Sequence, residues 1–279
     1  MKNLLIFLLF PLFLSAQVDL LLASQEQYRN ETPANPIIAI GNLEAWWDRD
    51  GIDPSATVGG NNVNTWTDII ADRVLNKVTG TQPTLEINGG KREVRFNGTN
   101  AMSIAEWAAV DFVPRTNAFT IVVKIGATVS STGTFVGKTQ NGSLSMQYQL
   151  TYNHIANGQI GHNIGSDATS YFGRADKSGG VSGNKVVAVA VGTANNFDTQ
   201  IYYDTEALPY SFTSRPTSPN GETIGPETIV NNHPIFIGAR RNDSDTSIGF
   251  AFNGTIAHVL IFSKKLSAGE ISIIVSNLD

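Results

Sequence analysis

The amino-acid sequence predicts an all-β fold of the sandwich or barrel class, and three observations support that prediction. Turn-forming pairs such as Asn-Gly and Gly-Gly recur at short intervals, within a total of 26 glycines. The segments between them are short and rich in β-branched and aromatic residues, as strands are. The composition, 41% hydrophobic and 15% charged, is that of a globular chain with a core.

The clearest predicted strands are FTIVVKIGA (119–127), SMQYQLTYN (145–153), KVVAVAVGT (185–193), TQIYYD (199–204), IFIGAR (235–240) and TIAHVLIF (255–262). In SMQYQLTY apolar and polar residues alternate, so Tyr148 and Leu150 are expected on one face of a strand. Helical signals are few. AEWAAVDF (105–112) predicts one helical turn, and LSAGEISIIVSNL (266–278) predicts a C-terminal helix whose Ser267 and Glu270 form a capping box.

The N-terminus has the layout of a targeting signal. Lys2 is followed by an apolar run from Leu4 to Leu14, then by small residues that end at Ala16. This pattern predicts a secretory signal peptide over residues 1–16, and a retained membrane anchor is the alternative. Residues 17–36 are expected to form a polar linker, and residues 37–279 a single folded domain. We therefore expect a secreted, extracellular or periplasmic protein with no stable membrane span after cleavage, from a Gram-negative bacterium.

Charge and cysteine content exclude several classes of function. The formal net charge is −5, and the 19 Lys and Arg residues form no run, which argues against nucleic acid as a partner. The chain has no cysteine, so disulfides, thiolate metal sites and a cysteine nucleophile are excluded.

The order of several motifs resembles the laminin-G-like (LamG) branch of the concanavalin A-like lectin/glucanase superfamily, as found in bacterial secreted and phage structural proteins. The matching segments are LEAWWDRDGI (43–52), VNTWTDI (63–69), QPTLEINGGKREVRFNGTNAMSI (82–104), NAFTIVVKI (117–125), FVGK (135–138), IYYD (201–204), IFIGAR (235–240) and FNGTIAHVLIFSKKLSAGEI (252–271). The resemblance implies a concanavalin A-like jelly-roll sandwich of two antiparallel sheets, with a short C-terminal helix. It covers nearly the whole body of the chain.

The tetrapeptide FNGT occurs twice, at 96–99 and at 252–255. In each copy we expect Phe to pack inward, Asn-Gly to form a turn and Thr to open the next strand. The resemblance implies that the strands after the two copies lie close together and close one sheet.

The sequence offers no sign of catalysis, and we expect a non-enzyme. Glucanase relatives carry Glu-x-Asp-x-Glu or Glu-x-Asp-x-x-Glu on one strand, which aims two carboxylates into a groove, and no such motif occurs here. A Gly-x-Ser-x-Gly nucleophile elbow is also missing, and no pair of histidines has zinc-ligand spacing. His258 is expected to be a strand residue with an ordinary hydrogen-bond partner.

Candidate binding residues are polar and aromatic. Sugar binding uses aromatic rings and side-chain amides, so the candidates for ligand binding are Trp107, Tyr148, Tyr152, Asn153 and Tyr171. An aromatic stripe with period two is equally typical of a core. Laminin-G-like relatives often hold Ca²⁺ at the rim of the sandwich, which implies as possible ligands Asp243, Asp245 and Asp204.

These observations favour a secreted binding module for carbohydrate or cell-surface adhesion, with a glycan or a cell-surface protein as partner. A structural or protein-interaction component of a surface assembly or virion is the alternative, and a glycoside hydrolase of the same superfamily is a third. Fold alone does not choose among them.

Overall fold

The computed structural model describes residues 35–278, except 61–62, 79–81, 106, 113–115, 132, 140–145, 153–158, 166–169, 178–179, 195–197, 215–232 and 242–247. The chain divides into two compact units, Met1–Ile40 and Gly41–Asp279. In the first, helix α1 spans Pro36–Ala39, and the Asn35 side chain caps it by accepting a hydrogen bond from the Ile37 amide. None of the helices in the described ranges is both long and apolar enough to cross a membrane.

The second unit is built almost entirely of strands. These are β1 Leu43–Ile52, β2 Thr65–Asp68, β3 Val74–Lys77, β4 Thr84–Asn88, β5 Lys91–Asn97, β6 Met102–Ile104, β7 Phe119–Ser131, β8 Gly133–Thr139, β9 Met146–Tyr152, β10 Gln159–Gly165, β11 Ser170–Asp176, β12 Val186–Val191, β13 Thr199–Tyr203, β14 Glu206–Leu208, β15 Tyr210–Ser214, β16 Ile235–Ile237, β17 Arg240–Arg241, β18 Ile248–Gly249 and β19 Asn253–Phe262. A 3₁₀ helix spans Ala108–Val110, and helix α2 spans Ala268–Asn277.

The strands pair antiparallel in two layers. In sheet I the order is β14, β13, β12, β7, β19. On its other side, β19 pairs with β5 along its first half and with β1 along its second half. Strand β4 then pairs with β5. In sheet II the order is β15, β11, β10, β9, β8, β16, β6, β3, β2. The β1–β2 pairing joins the two sheets. This arrangement is the predicted all-β jelly-roll sandwich of two antiparallel sheets, and all six predicted strands are present.

The core lies between the sheets. Alternate residues of β7, namely Ile121, Val123 and Ile125, face it from sheet I, and Leu150 and Ile160 face it from sheet II.

The outward faces are partly covered as well. Strand β12, VVAVAV, is buried along its whole length, and so are Gln149 and Thr151 on the polar face of β9. These two polar side chains are hydrogen-bonded, Gln149 Nε2 to Thr134 Oγ1 at 2.6 Å and Thr151 Oγ1 to the Gly161 carbonyl at 3.2 Å.

The two FNGT copies pair with each other. Asn97 lies opposite Asn253, and Phe96 lies opposite Gly254, across the β5–β19 ladder. Both phenylalanines, Phe96 and Phe252, are fully buried in the core, as expected. The first Asn-Gly forms a turn with Gly98 at φ +85°, but the second does not, because β19 already begins at Asn253. The prediction of a turn at Gly254 was therefore wrong. The strand that pairs with β19 is β5, which ends in the first copy, whereas β6, the strand after that copy, pairs with β3 and β16 in sheet II. The strands that follow the two copies therefore do not close one sheet, as was expected.

Helix α2 begins as the sequence predicts. The Ser267 hydroxyl accepts a hydrogen bond from the Glu270 amide, and the Glu270 carboxylate accepts one from the Ser267 amide at 2.8 Å. The segment before the helix is tied to sheet I through Thr120, whose hydroxyl donates to the Lys264 carbonyl at 2.8 Å and accepts from the Leu266 amide at 2.9 Å. The helical turn predicted at 105–112 is the shorter 3₁₀ helix.

Candidate functional site

A polar pocket of about 360 Å³ lies at one rim of the sandwich. Three segments form it: the 3₁₀ helix with the residues after it, the loop that enters β7, and the residue that follows β19. Its lining consists of Ala108, Ala109, Asp111, Phe112, Thr116, Asn117, Ala118 and Ser263. Volumes of this order are typical of sites for small ligands.

The 3₁₀ segment is held in place by buried aromatic rings. Trp107, just before it, packs edge-on against Trp47 with ring centroids 6.4 Å apart, and the Arg73 guanidinium lies 4.2 Å above the Trp107 ring. Phe112, just after it, stacks on Phe119 at 4.7 Å with ring planes only 2° apart. The backbone between these anchors is thus fixed, and it presents Asp111 to the pocket.

Asp111 forms an ion pair with Lys138, whose side chain is completely buried. Lys138 lies opposite Tyr148 in the β8–β9 ladder, on the core-facing side, so its ammonium approaches the pocket from within the sandwich. The Asp111 side chain is only 9% exposed, so both charges are largely removed from water. Such a pair is held together strongly, because losing either member leaves the other charged and desolvated.

The other polar groups of the pocket are hydroxyls and an amide. Ser263 is fixed by two hydrogen bonds: its hydroxyl donates to Glu44 Oε1 at 2.5 Å, and its amide donates to the Asn42 carbonyl at 2.9 Å. Thr116 and Asn117 are exposed at the mouth. The pocket therefore offers a carboxylate already neutralised by Lys138, two hydroxyls and one amide, which suits a ligand rich in hydroxyl groups.

Two further polar side chains are buried in the core of the sandwich. Tyr148 packs against Phe112 and Phe119, at centroid distances of 5.8 and 5.5 Å, and burial raises the pKa of its hydroxyl. His162 lies opposite Leu150 in the β9–β10 ladder and so faces the core, where burial lowers the pKa of its imidazole to about 3. Within the described part of the chain, neither the Tyr148 hydroxyl nor either ring nitrogen of His162 has a hydrogen-bond partner.

Three of the predicted ligand-binding aromatics lie in the core, and none of the three lines the pocket. Trp107, Tyr148 and Tyr152 are 5%, 0% and 8% exposed and belong to the core. Tyr152 packs against Phe135, and its hydroxyl accepts a hydrogen bond from the Val181 amide at 3.2 Å. The period-two pattern in β9 is thus the core pattern. A stacking role for any of these three rings would require it to leave the core.

The remaining binding candidates are less fully described. Tyr171 is in strand β11, opposite Ile164 and Ser214, and its side chain is outside the described part of the structure. Asn153 lies outside the described residues altogether. Their role as ligand contacts stays a prediction.

Of the candidate calcium ligands, only Asp204 is within the described residues. Its two carboxylate oxygens are already engaged, one by the Val186 amide at 2.9 Å and the other by the Lys185 ammonium at 2.7 Å. A carboxylate that already accepts a hydrogen bond from a lysine ammonium is a poor ligand for Ca²⁺. Asp243 and Asp245 lie outside the described residues, so calcium binding there stays a prediction. In the ranges that are described, no group of three or more His, Cys, Asp or Glu residues could hold a metal ion.

The Asp111–Lys138 pair was missed by sequence reasoning. The two residues are far apart in sequence, and Asp111 follows an unremarkable apolar segment. A usable signal was present in β8, where Lys138 occupies a position that alternation assigns to the same face as Val136. A lysine on the core face of a strand needs a carboxylate partner, and a search for one would have pointed to the pocket.

His258 is in β19 as predicted, with an ordinary partner. Its Nδ1 accepts a hydrogen bond from Trp46 Nε1 at 3.3 Å, which is compatible with the neutral imidazole.

Solved structures that resemble this chain are β-sandwich binding domains. The binding domain of botulinum neurotoxin DC, in complex with rat synaptotagmin II, matches with a TM-score of 0.55 at 11% identity, over 85% of this chain and 52% of that chain. Domain 4 of a GH43 extracellular arabinanase from Geobacillus stearothermophilus, in complex with arabinotriose, matches with a TM-score of 0.51 at 12% identity, over 85% of this chain and 98% of that chain.

The chain thus spans about half the length of the toxin domain and nearly all of the arabinanase domain. At these identities the likeness establishes a shared fold. No protein-family model matches the sequence, and no curated protein matches it.

Proposed function

We propose that this chain is a secreted, non-catalytic binding module of the laminin-G-like type, which recognises carbohydrate through the polar pocket at Asp111. The pocket itself is the observation that carries the proposal. Its rim combines hydroxyl, amide and carboxylate groups on a backbone fixed by buried aromatic rings. Preorganised polar groups of this kind match the hydroxyls of a sugar without requiring the protein to rearrange.

Two further points support this function. The arabinanase domain, solved with arabinotriose, covers the same fold over nearly its whole length, so the fold accommodates an oligosaccharide. Asp111 is paired with Lys138, so its carboxylate is engaged in holding the rim and is poorly suited to act as a general acid. Export through the N-terminal signal, with cleavage after Ala16, would place the module outside the cytoplasm.

A glycan array tests the proposal. The full chain is expressed with its own leader, recovered from the periplasm or medium, and its N-terminus is sequenced; we expect it to begin at Gln17. The recovered protein is then screened with calcium and with EDTA. Binding to one class of sugar supports the module, and loss of that binding in EDTA would direct attention to Asp243 and Asp245. The absence of binding in both conditions would contradict the proposal.

Two variants tie the binding to the pocket. Asn117→Ala and Thr116→Ala remove exposed polar groups at its mouth, and each is expected to weaken binding by about threefold to tenfold, the value of one hydrogen bond. Asn76→Ala is the matched control, because Asn76 is also exposed but lies on β3, outside the lining. If all three variants bind equally well, the sugar site lies elsewhere.

Protein recognition is the second candidate, in a surface assembly or on a virion. It is favoured by three exposed apolar side chains around the β2–β3 turn, Ile69, Ile70 and Val74, which are 42%, 37% and 36% exposed. The toxin domain of the same fold, solved with rat synaptotagmin II, is a precedent for a protein partner. If the array is blank, replacing Ile69 and Ile70 by Ser should abolish capture of a protein partner in a pull-down.

A further inference from the structure

The Lys138–Asp111 pair places an amine next to a carboxyl group where there is little water. The Lys138 side chain is completely buried, the Asp111 side chain is only 9% exposed, and the two are in direct contact. An amine and a carboxyl group are the two halves of an amide bond. Fixed contact between two reacting groups replaces a bimolecular encounter, and it raises their effective concentration by several orders of magnitude.

Aromatic rings surround the pair. Phe112 follows Asp111 directly, and its ring centroid lies 4.7 Å from that of Phe119 and 5.8 Å from that of Tyr148. Tyr148 lies opposite Lys138 in the β8–β9 ladder. Apolar surroundings disfavour charged groups, so they bring the neutral pair, a free amine and a carboxylic acid, closer in free energy to the ion pair than it is in water. The free amine is the nucleophilic form of lysine.

A hydrogen-bond donor is available on the same face of sheet II. The Tyr148 hydroxyl is fully buried, and in the part of the chain that the structure describes it has no hydrogen-bond partner. Burial raises the pKa of this hydroxyl, so it stays protonated. A protonated hydroxyl stabilises the negative oxygen that forms when a nucleophile adds to a carboxyl group. An unsatisfied donor is unfavourable for the folded protein, and the reaction would give this one a partner.

We propose that Lys138 and Asp111 become joined by an amide bond between Lys138 Nζ and Asp111 Cγ. A proton first passes from the ammonium to the carboxylate. The Nζ lone pair then attacks Cγ and forms the C–N bond, while Tyr148 donates a hydrogen bond to the oxygen that becomes negative. The C–OH bond breaks, and the hydroxyl leaves as water with a second proton from Nζ. One water is lost, and no oxidant, reductant or cofactor takes part.

The amide links the two sides of the sandwich. Asp111 lies between the 3₁₀ helix and β7 of sheet I, and Lys138 lies on β8 of sheet II. The chain has no cysteine, so no disulfide can provide such a link. An amide constrains the unfolded chain as a disulfide does, and reducing agents do not break it. The proposal does not depend on carbohydrate binding, because the Asp111 carbonyl remains at the pocket as a hydrogen-bond acceptor.

The mass of the intact chain tests the proposal. The full chain is expressed and recovered as for the glycan array, denatured, and its mass is compared with the mass calculated from its sequenced N-terminus. We expect a deficit of one water, about 18 Da, in the wild type. Lys138→Arg keeps a positive charge beside Asp111, but its guanidinium does not deprotonate, so this variant should show no such deficit. Cyclisation of an N-terminal Gln17 would change both masses alike and leave the difference between them intact.

A tryptic digest of the wild type locates the bond. Trypsin does not cleave after a lysine whose amine is acylated, so residues 96–115 should be recovered joined to residues 125–174. In an unlinked chain, residues 125–138 and residues 139–174 are released as separate peptides.

The Lys185–Asp204 pair is the control within the same digest. It has the same two residue types, but their side chains are 41% and 25% exposed, so water keeps both groups charged. Residues 178–185 should therefore be released as a free peptide.

Full mass in the wild type, with separate release of the peptides on either side of Lys138, would overturn the proposal. The digest needs only the wild type, so this outcome stands even if Lys138→Arg does not fold. Tyr148→Phe tests the hydrogen-bond donor, and in samples taken at fixed times after induction the linked chain should accumulate at least about tenfold more slowly. An unchanged rate would exclude Tyr148 from the reaction. A linked chain with a blank glycan array would reject only the carbohydrate function.

Discussion

Lys138 and Lys124 lie on opposite sheets of the same sandwich, and each has part or all of its side chain removed from water. Lys138 faces the core from sheet II and is fully buried, but it is paired with Asp111. Lys124 lies on the outward face of sheet I and is only half-buried, and in the described part of the chain it forms no ion pair. The contrast separates two uses of a buried charge. The fully buried lysine has a carboxylate beside it, whereas the half-buried lysine keeps part of its side chain in water.

The largest expected effect comes from breaking the core pair. Lys138→Met should lower the free energy of unfolding by about 3–5 kcal/mol, because it leaves the Asp111 carboxylate desolvated and without a counter-ion. Urea unfolding measures it. Lys185→Met is the control, since its partner Asp204 is 25% exposed and that pair should contribute about 1 kcal/mol or less. The interpretation fails if the two variants lose the same stability.

His162 extends the comparison to a buried group that is kept neutral. Burial lowers its pKa from 6.5 to about 3, so below pH 6.5 the unfolded chain binds a proton that the folded protein does not. The free energy of unfolding should therefore fall by about 1.4 kcal/mol for each pH unit as pH decreases from 6.5 towards 3, with no contribution above 6.5.

His162→Leu should remove this part of the acid sensitivity. Wild type and variant are compared by urea unfolding at about pH 7.5 and about pH 4.5, where only the difference between them reports on His162. Acidic groups elsewhere affect both proteins alike. If both lose the same stability between the two pH values, His162 is protonated in the folded protein or is not buried.

The smallest expected effect on stability is at Lys124. Lys124→Met keeps the apolar stem and removes an unpaired charge, so the free energy of unfolding should stay within about 0.5 kcal/mol of wild type or rise. Urea unfolding measures the free energy of unfolding of this variant in parallel with that of Lys138→Met. A loss of more than about 2 kcal/mol would mean that the Lys124 ammonium stabilises the fold. The two lysines would then not differ in their contribution to stability as expected.

The fold was largely predictable because its signals are local. Turn chemistry and strand periodicity located the strands, and the Ser267–Glu270 capping box located helix α2. The error at Gly254 has a physical cause. Asn-Gly favours a turn, but pairing of β19 with β5 and β7 provides more hydrogen bonds than a turn would.

The candidate site was predictable only in part, because it depends on contacts between distant segments. The aromatic pattern around Tyr148 correctly marks a strand, but the same pattern describes a core face and a binding groove equally well. The Asp111–Lys138 pair joins the segment after the 3₁₀ helix to strand β8. This pair cannot be read from spacing along the chain without knowing which segments are neighbours.

The place of β19 in sheet I has a consequence for how the protein is made. This strand pairs with β1, β5 and β7, yet within the described part of the chain it comes after all of the other strands. In a chain that emerges from a ribosome or a secretion channel N-terminus first, those three partners must wait with unpaired edges until residues 253–262 arrive. Loss of the C-terminal tenth of the chain would thus remove the centre of a sheet rather than its margin.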